Sequence, residues 1–253
     1  IPDILCAVQV ALEGDISQEK VVENSSRGIK PSGDLLPWTV SEQFMDREFP
    51  RLNGLRVVRI ATHPQTQGKG YGSRTLELLK KFFSRELVGE EELVSFYDYS
   101  KYEEGGSVKD LHQSADLRSK KKLKPLLKSL SEIAPPKMHY LGTSFGLTPE
   151  LFNFWKKNDY HPVYLKQKPN ELTGEYSCIM LQELGNRDLS EGEVTLSENW
   201  LQLYRADFEK RFSSLLSFQF SSFELKMCME ILSPRLTSTA AGNAALGRQE
   251  EAI

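Results

Sequence analysis

As far as Phe83, the apolar residues of the chain fall in short runs separated by turn signals, and the runs change period. Ile4–Leu12 (ILCAVQVAL) predicts a strand closed by the turn residues Glu13-Gly14-Asp15. A short helix is expected around Ser17–Ser25. Arg27–Pro37, rich in Gly, Pro and Ser, reads as a loop into TVSEQF, where Thr39 or Ser41 would cap another short helix. Val57, Val58, Ile60 and Ala61 predict a buried strand, which His63-Pro64 ends because proline has no N–H for a sheet ladder. After Ser73 the apolar positions Leu76, Leu79, Phe82 and Phe83 recur at helical spacing.

Beyond this helix the pattern fades. Ser84–Ser119 is polar, with an acidic patch at Glu90–Glu92, and little periodicity returns before the helix-like DLRSKKKLKPLLKSL. Residues of about 84–136 therefore read as an insertion, partly disordered. Its lysines, Lys101, Lys109, Lys120, Lys121, Lys122, Lys124 and Lys128, fit either RNA phosphates or a solvated helix face. Met138–Gly142 resumes an apolar strand. Thr148 and Pro149 then mark a helix start, with Leu151, Phe152, Phe154 and Trp155 as its buried face. HPVYLKQ and Thr173–Leu181 predict two further strands. In Trp200–Leu232 the spacing of Leu201, Tyr204, Phe208, Phe212, Leu215, Leu216, Phe220 and Phe223 predicts an amphipathic helix or helix pair, set with Arg205, Lys210 and Arg211. Arg235–Ile253, rich in Ala, Ser, Thr and Gly, reads as a flexible end.

Composition narrows the class. With 39% hydrophobic and 26% charged residues, the 253-residue chain reads as an ordinary globular protein. No apolar run approaches the ~20 residues that span a bilayer, so no membrane partner is expected. A net charge of −3 rules out a polycation, and nucleic-acid binding cannot be argued from the total. Cys6, Cys178 and Cys228 are far apart in apolar contexts, which suits buried, inert thiols in a reducing compartment and offers no metal motif. The chain begins at Ile1, which suggests a fragment of a longer protein.

Candidate chemistry gathers between the predicted strand and helix. Gln67-Gly68-Lys69-Gly70-Tyr71-Gly72-Ser73 brings three glycines to the start of a helix. Glycine permits positive φ and close backbone approach, and the first turn of a helix offers unpaired N–H groups and a partial positive charge. Such a loop suits a diphosphate; a glycine-rich turn with no ligand is the plain alternative. The G-x-x-x-x-G-K-[ST] loop is absent, and the third glycine comes one residue early for G-x-G-x-x-G. Gln67, Gly70 and Gly72 instead fit Q/R-x-x-G-x-G/A, which resembles the acetyl-CoA loop of the GNAT acetyltransferases.

Longer stretches sharpen the likeness. RIATHPQTQGKGYGSRTLELL, SGDLLPWTVSEQF (Ser32–Phe44) and the 42 residues of Tyr140–Leu181 resemble the RNA cytidine acetyltransferases, over roughly residues 1–232 with a gap in the middle. The resemblance implies an α/β (α+β) fold: a GNAT-type mixed central sheet flanked by helices over residues 1–185, with a C-terminal helical appendage. That appendage, 196–232, would be an RNA-binding tail. It implies acetyl-CoA as cofactor, held by the backbone of Ile60, Ala61 and Thr62 along the pantetheine arm and by Gln67, Gly68, Lys69, Gly70, Tyr71, Gly72 and Ser73 at the diphosphate. The acceptor would be the N4 amine of cytosine in rRNA and tRNA.

His63, at the strand end beside the loop, is the candidate base; a His-Pro strand terminator bonded to backbone is the alternative. Tyr164 and Tyr160 are candidates to protonate the leaving thiolate, against a core role for each. Where the family has an arginine in the strand after the late helix, this chain has Lys166 (VYLKQKP), which keeps the charge without the planar fork. Family members also carry an upstream helicase-like, ATP-using module, and no Walker-type loop occurs here, so ATP is expected only for the full-length protein. The resemblance further implies nuclear and nucleolar residence, and leaves a tRNA adaptor protein and a homodimer as partners to look for. Two other readings stay open: a GNAT enzyme for lysine or N-terminal amines, and a catalytically idle RNA-binding scaffold.

Overall fold

The computed structural model describes residues 3–28, 31, 33–87, 94–95, 133–184 and 199–233. The acidic patch at 90–92, the lysines of 101–128 and the end at 235–253 lie outside them. The fold is a mixed α/β sheet with flanking helices. Its five strands, in the order β1–β2–β5–β7–β6, are β1 Cys6–Gly14, β2 Asn53–Thr62, β5 Tyr140–Gly146, β6 His161–Leu165 and β7 Ser177–Glu183. A small parallel pair, β3 Val94–Ser95 with β4 Ile133–Ala134, stands apart from this sheet. The helices are α1 Gln18–Arg27, α2 Leu35–Phe44, α3 Tyr71–Phe83, α4 Pro149–Lys157, α5 Trp200–Leu215 and α6 Leu225–Leu232. Among the described residues no helix is long and apolar enough to cross a membrane.

The chain forms two compact units. The first comprises Ile1–Ser144 and Leu181–Glu198. In it β1 runs antiparallel to β2, and β2 runs parallel to β5 from Gly54↔Tyr140 to Val57↔Thr143. Its core includes Leu36, Val40, Phe49, Leu52, Leu55, Val57, Leu76, Phe82, Phe83, Tyr140 and Leu141. Helix α3 packs on β1 and β2, burying Leu76, Phe82 and Phe83 as the spacing predicts. Leu79 is only partly covered.

Three expectations are corrected in this unit. Glu13 and Gly14 are not a turn but the last residues of β1. The Glu13 side chain points inward because both its oxygens have partners there: Arg56 Nε at 2.5 Å, and the N–H of Leu36 at 2.9 Å. Neither Thr39 nor Ser41 caps α2, since the helix starts earlier, at Leu35, with Pro37 in its first turn where a missing N–H costs nothing. Asp34 precedes it at φ 45°, its carboxylate taken up by the N–H of Gly14 at 2.9 Å. In β2, Val58 and Ala61 are exposed rather than buried. Gln9 pairs with Arg59 while Val10 pairs with Val57, so Val58 is an extra residue bulged out of the ladder.

The second unit comprises Phe145–Met180 and Asn199–Ile253. Thr148 caps α4, its hydroxyl accepting the N–H of Leu151 at 3.3 Å, with Pro149 at the first helical position. Phe152 and Trp155 are buried, but Leu151 is 42% exposed, because the buried stripe runs through positions three apart and leaves the first turn in solvent. Two strand limits also differ from expectation. β6 stops at Leu165, so Lys166 lies just past it, and β7 begins at Ser177 rather than Thr173. The cause is Asn170: its side chain accepts the N–H groups of Leu172 (2.9 Å) and Thr173 (3.3 Å), and its carbonyl that of Gly174 (2.8 Å), which folds a turn where a strand would run.

The C-terminal segment is a helix pair, and it is built into this unit. Helix α5 packs on β6. Phe212 lies 5.9 Å from Phe208 and 5.4 Å from Phe220, and Tyr176, just ahead of β7, meets Phe220 at 5.8 Å and Phe223 at 4.9 Å. Helix α6 is tied to α4 through Glu230, whose carboxylate accepts from Asn153 (2.9 Å) and whose carbonyl accepts from Lys156 (2.5 Å). Leu215, Leu216 and Phe223 are only partly covered. Cys178 and Cys228 are buried and Cys6 is half-buried; burial pushes the Cys178 thiol up, out of the range where a thiolate forms.

Candidate functional site

The first unit holds most of the residues singled out from sequence. Pairing of β2 with β5 ends at Val57↔Thr143, whereas pairing with β1 continues to Thr62. Past Val57, then, β2 keeps one neighbour through Val58, Arg59, Ile60, Ala61 and Thr62. Its other edge carries backbone groups with no β5 partner among the described residues. An extended amide-bearing ligand can complete such an edge as an added strand does.

The strand then turns sharply. His63 donates its N–H to the carbonyl of Leu5 at 2.8 Å, and Pro64–Thr66 makes one 3₁₀ turn. The His63 carbonyl accepts the N–H of Thr66 at 2.9 Å and its hydroxyl at 3.0 Å. Gln67 reaches back across the turn, with Nε2 3.5 Å from the carbonyl of Thr62. The exposed His63 ring does what a strand terminator would do: Nδ1 accepts the N–H of Gln65 at 3.3 Å.

Gly68 and Gly70 take φ of +75° and +88°, values that only glycine adopts easily. A Cβ built on either would meet nothing within 4 Å, so the loop's outer side is open. Gly70 stands at the N-cap of α3 with no side chain to cap it. The first backbone bond into the helix runs from Arg74 N–H to the Gly70 carbonyl, at 2.9 Å. Among the described residues the N–H groups of Gly68, Gly70, Tyr71, Gly72 and Ser73 have no protein acceptor. These unclaimed donors lie on an open loop at the positive end of a helix. Lys69 adds an exposed cation, while Arg74 is turned onto Glu77 at 2.7 Å. The donor set fits a diphosphate, and the free β2 edge leading into it fits a pantetheine arm.

The remaining candidates lie in the second unit. Tyr164 is half-buried in β6. Lys166 is exposed beyond the strand, its N–H donating to the Ser177 carbonyl at 2.8 Å. Tyr160 is buried, packed edge-on against Trp155 at 4.9 Å, and burial holds its phenol well above the ordinary tyrosine range. Its hydroxyl has no partner among the described residues. This is the core role weighed against a proton-donating one.

The Val58 bulge had no signature in the sequence. A Val-Val pair in a strand gives no warning that the register slips there.

Residues 1–185 match the family described as GNAT acetyltransferase 2, and residues 200–250 match one described as a possible tRNA binding domain. The chain is similar to the RNA cytidine acetyltransferase of Dictyostelium discoideum, with 43% identity over 244 residues, 92% of this chain and 23% of that protein. The Saccharomyces cerevisiae protein of the same name is 45% identical over 236 residues, 92% of this chain and 22% of its own length. For the human protein the figures are 43% over 250 residues, 99% and 24%. The chain thus spans about a quarter of the length of these relatives. With the match running from the first residue through β7, and with the glycine loop and the free strand edge inside it, the chain belongs to the GNAT acetyltransferase 2 family.

Proposed function

We propose that this chain is the acetyl-transferring part of an RNA cytidine acetyltransferase, acting with acetyl-CoA on the N4 amine of cytosine in rRNA and tRNA. The observation that carries the donor half is the set of unclaimed N–H groups at Gly68 and from Gly70 to Ser73, beside a β2 edge that β5 leaves free. The relatives' shared name supports the acceptor half, and the match of residues 200–250 supports RNA as the partner of the tail.

When bound, acetyl-CoA supplies an acetyl group activated as a thioester. The chain's part is to hold it. Gly68, Gly70, Tyr71, Gly72 and Ser73 donate to the diphosphate, Lys69 adds charge, and the backbone of Ile60, Ala61 and Thr62 pairs with the arm. Lys166, a point charge, would attract a phosphate without fixing its orientation. The cytosine amine is a poor nucleophile because its lone pair is delocalised into the ring, so accurate positioning is the main contribution such a site can make.

In the same reading the full-length protein joins this part to an upstream ATP-using helicase-like module, and resides in the nucleus and nucleolus. The test is transfer of labelled acetyl by the full-length protein, with and without ATP, to an 18S-type rRNA helix and a serine tRNA beside histone peptides. N4-acetylcytidine in the RNA is expected. Label in the peptides alone would move the reading to a protein acetyltransferase. Binding of CoA with no transfer to either would leave an RNA-binding scaffold.

A further inference from the structure

We propose that His63 is a binding residue for coenzyme A, donating Nε2–H to its pantoate–diphosphate end, and is not the base of the reaction. The inference rests on the proposed function only in taking coenzyme A as the ligand.

Three observations lead there. The first is the tautomer. A neutral imidazole has one N–H and one acceptor nitrogen, and Nδ1 is the acceptor here because it takes the N–H of Gln65 at 3.3 Å. The proton therefore sits on Nε2. The lone pair a base would use is thus engaged by the Gln65 N–H.

The second is rigidity. The His63 backbone is held to Leu5 on one side and to Thr66 on the other, at 2.8 and 2.9 Å. The ring thus stands on a fixed turn rather than a free loop, and it is exposed.

The third is position. His63 and Gln67 begin and end one turn, closed by the contact of Gln67 Nε2 with the Thr62 carbonyl, and the unclaimed N–H groups follow directly. An arm paired with Ile60–Thr62 leads away from that loop, back toward the bulge at Val58. Val58 is five residues from His63, roughly 16 Å of extended strand. The arm has about as many chain atoms as four residues, roughly 14 Å when extended. The reacting thioester is carried at its far end, and His63 stands at the near one.

The test uses the full-length protein and coenzyme A alone, with no acetyl group and no RNA. Calorimetry on His63→Ala should show CoA bound about tenfold more weakly, the loss of one hydrogen bond to a charged group. His63→Gln, whose amide nitrogen can stand near Nε2 but cannot accept a proton, should recover most of that loss. In steady-state transfer the defect should appear in KM for acetyl-CoA rather than in kcat. Long-range proton–nitrogen correlation should find Nδ1 unprotonated in the free protein.

Unchanged CoA affinity in His63→Ala would overturn the proposal. So would a kcat that collapses equally in the Ala and Gln variants, or a ring protonated on Nδ1. Should CoA affinity fall as expected while no RNA is acetylated, the assignment of His63 stands and the cytidine reading fails.

Discussion

Glu13 and Arg56, on neighbouring strands and 43 residues apart in the chain, meet with Oε1 and Nε at 2.5 Å. The Glu13 side chain is 3% exposed and that of Arg56 21%. The second carboxylate oxygen accepts the N–H of Leu36, so one acid joins β1, β2 and the start of α2.

Replacing one partner of a buried pair strands the other. Glu13→Ala should destabilise the protein by about 3 kcal/mol, since Arg56 and the Leu36 N–H both lose their acceptor. Glu13→Gln keeps an acceptor for Leu36 and should cost less. Urea denaturation at pH 7 checks the order, and equal midpoints for Glu13→Ala and wild type would refute it.

Two glycines should fail in different ways. Gly70→Ala places a Cβ in open space at φ +88°, so its cost is the backbone strain of about 1–2 kcal/mol, with misdirected N–H groups and weaker CoA binding. Gly54→Ala would put a Cβ 2.0 Å from Cζ of the buried Tyr140 ring. Ring and strand must then move apart, with a loss of stability larger than that of Gly70→Ala. Thermal melts with and without CoA separate the two, because only Gly70→Ala should lose the stabilisation that CoA confers.

The buried Tyr160 phenol should govern alkaline stability. Burial raises its folded pKa above the ordinary value near 10. Below pH 10 both folded and unfolded chains hold the proton, and nothing is gained or lost. Above it the unfolded chain releases a proton that the fold retains, so stability falls as pH rises. Tyr140, raised chiefly by burial and then by Glu13 and Asp34, adds a loss of the same sign. Tyr160→Phe should therefore shrink the drop in melting temperature between pH 7 and pH 11. At pH 7 it should be neutral or slightly stabilising, because the hydroxyl it removes has no partner among the described residues.

In the second unit, Phe212→Ala should cost about 3–5 kcal/mol, as for other buried aromatic truncations. Phe212 is 1% exposed and stacks between Phe208 and Phe220. Phe218, 71% exposed on the same segment, should tolerate Ser within about 0.5 kcal/mol. Chemical denaturation followed by tryptophan fluorescence reads both. Equal effects would mean that the tail does not share a core with residues 145–180.

Some of this was legible in the residues alone, because it is decided within a few positions. Gly68 and Gly70 announce a loop with positive φ, and Leu76, Phe82 and Phe83 the buried face of α3. Thr148-Pro149 marks the start of α4 through a cap and a proline that act inside one turn. Motifs of this kind also carried the family. The remainder waited on the tertiary structure, because it depends on register between distant segments. Glu13 looks like a turn residue until Arg56 and Leu36 are placed beside it. Val57 and Val58 are alike in sequence, and only the slip against Gln9 and Val10 buries one and expels the other. The same kind of long-range fit sets Tyr176 among the phenylalanines of the tail. Side-chain chemistry and local backbone preference determined the glycine loop; pairing across the sheet decided which stretch of β2 is left without a β5 partner beside it.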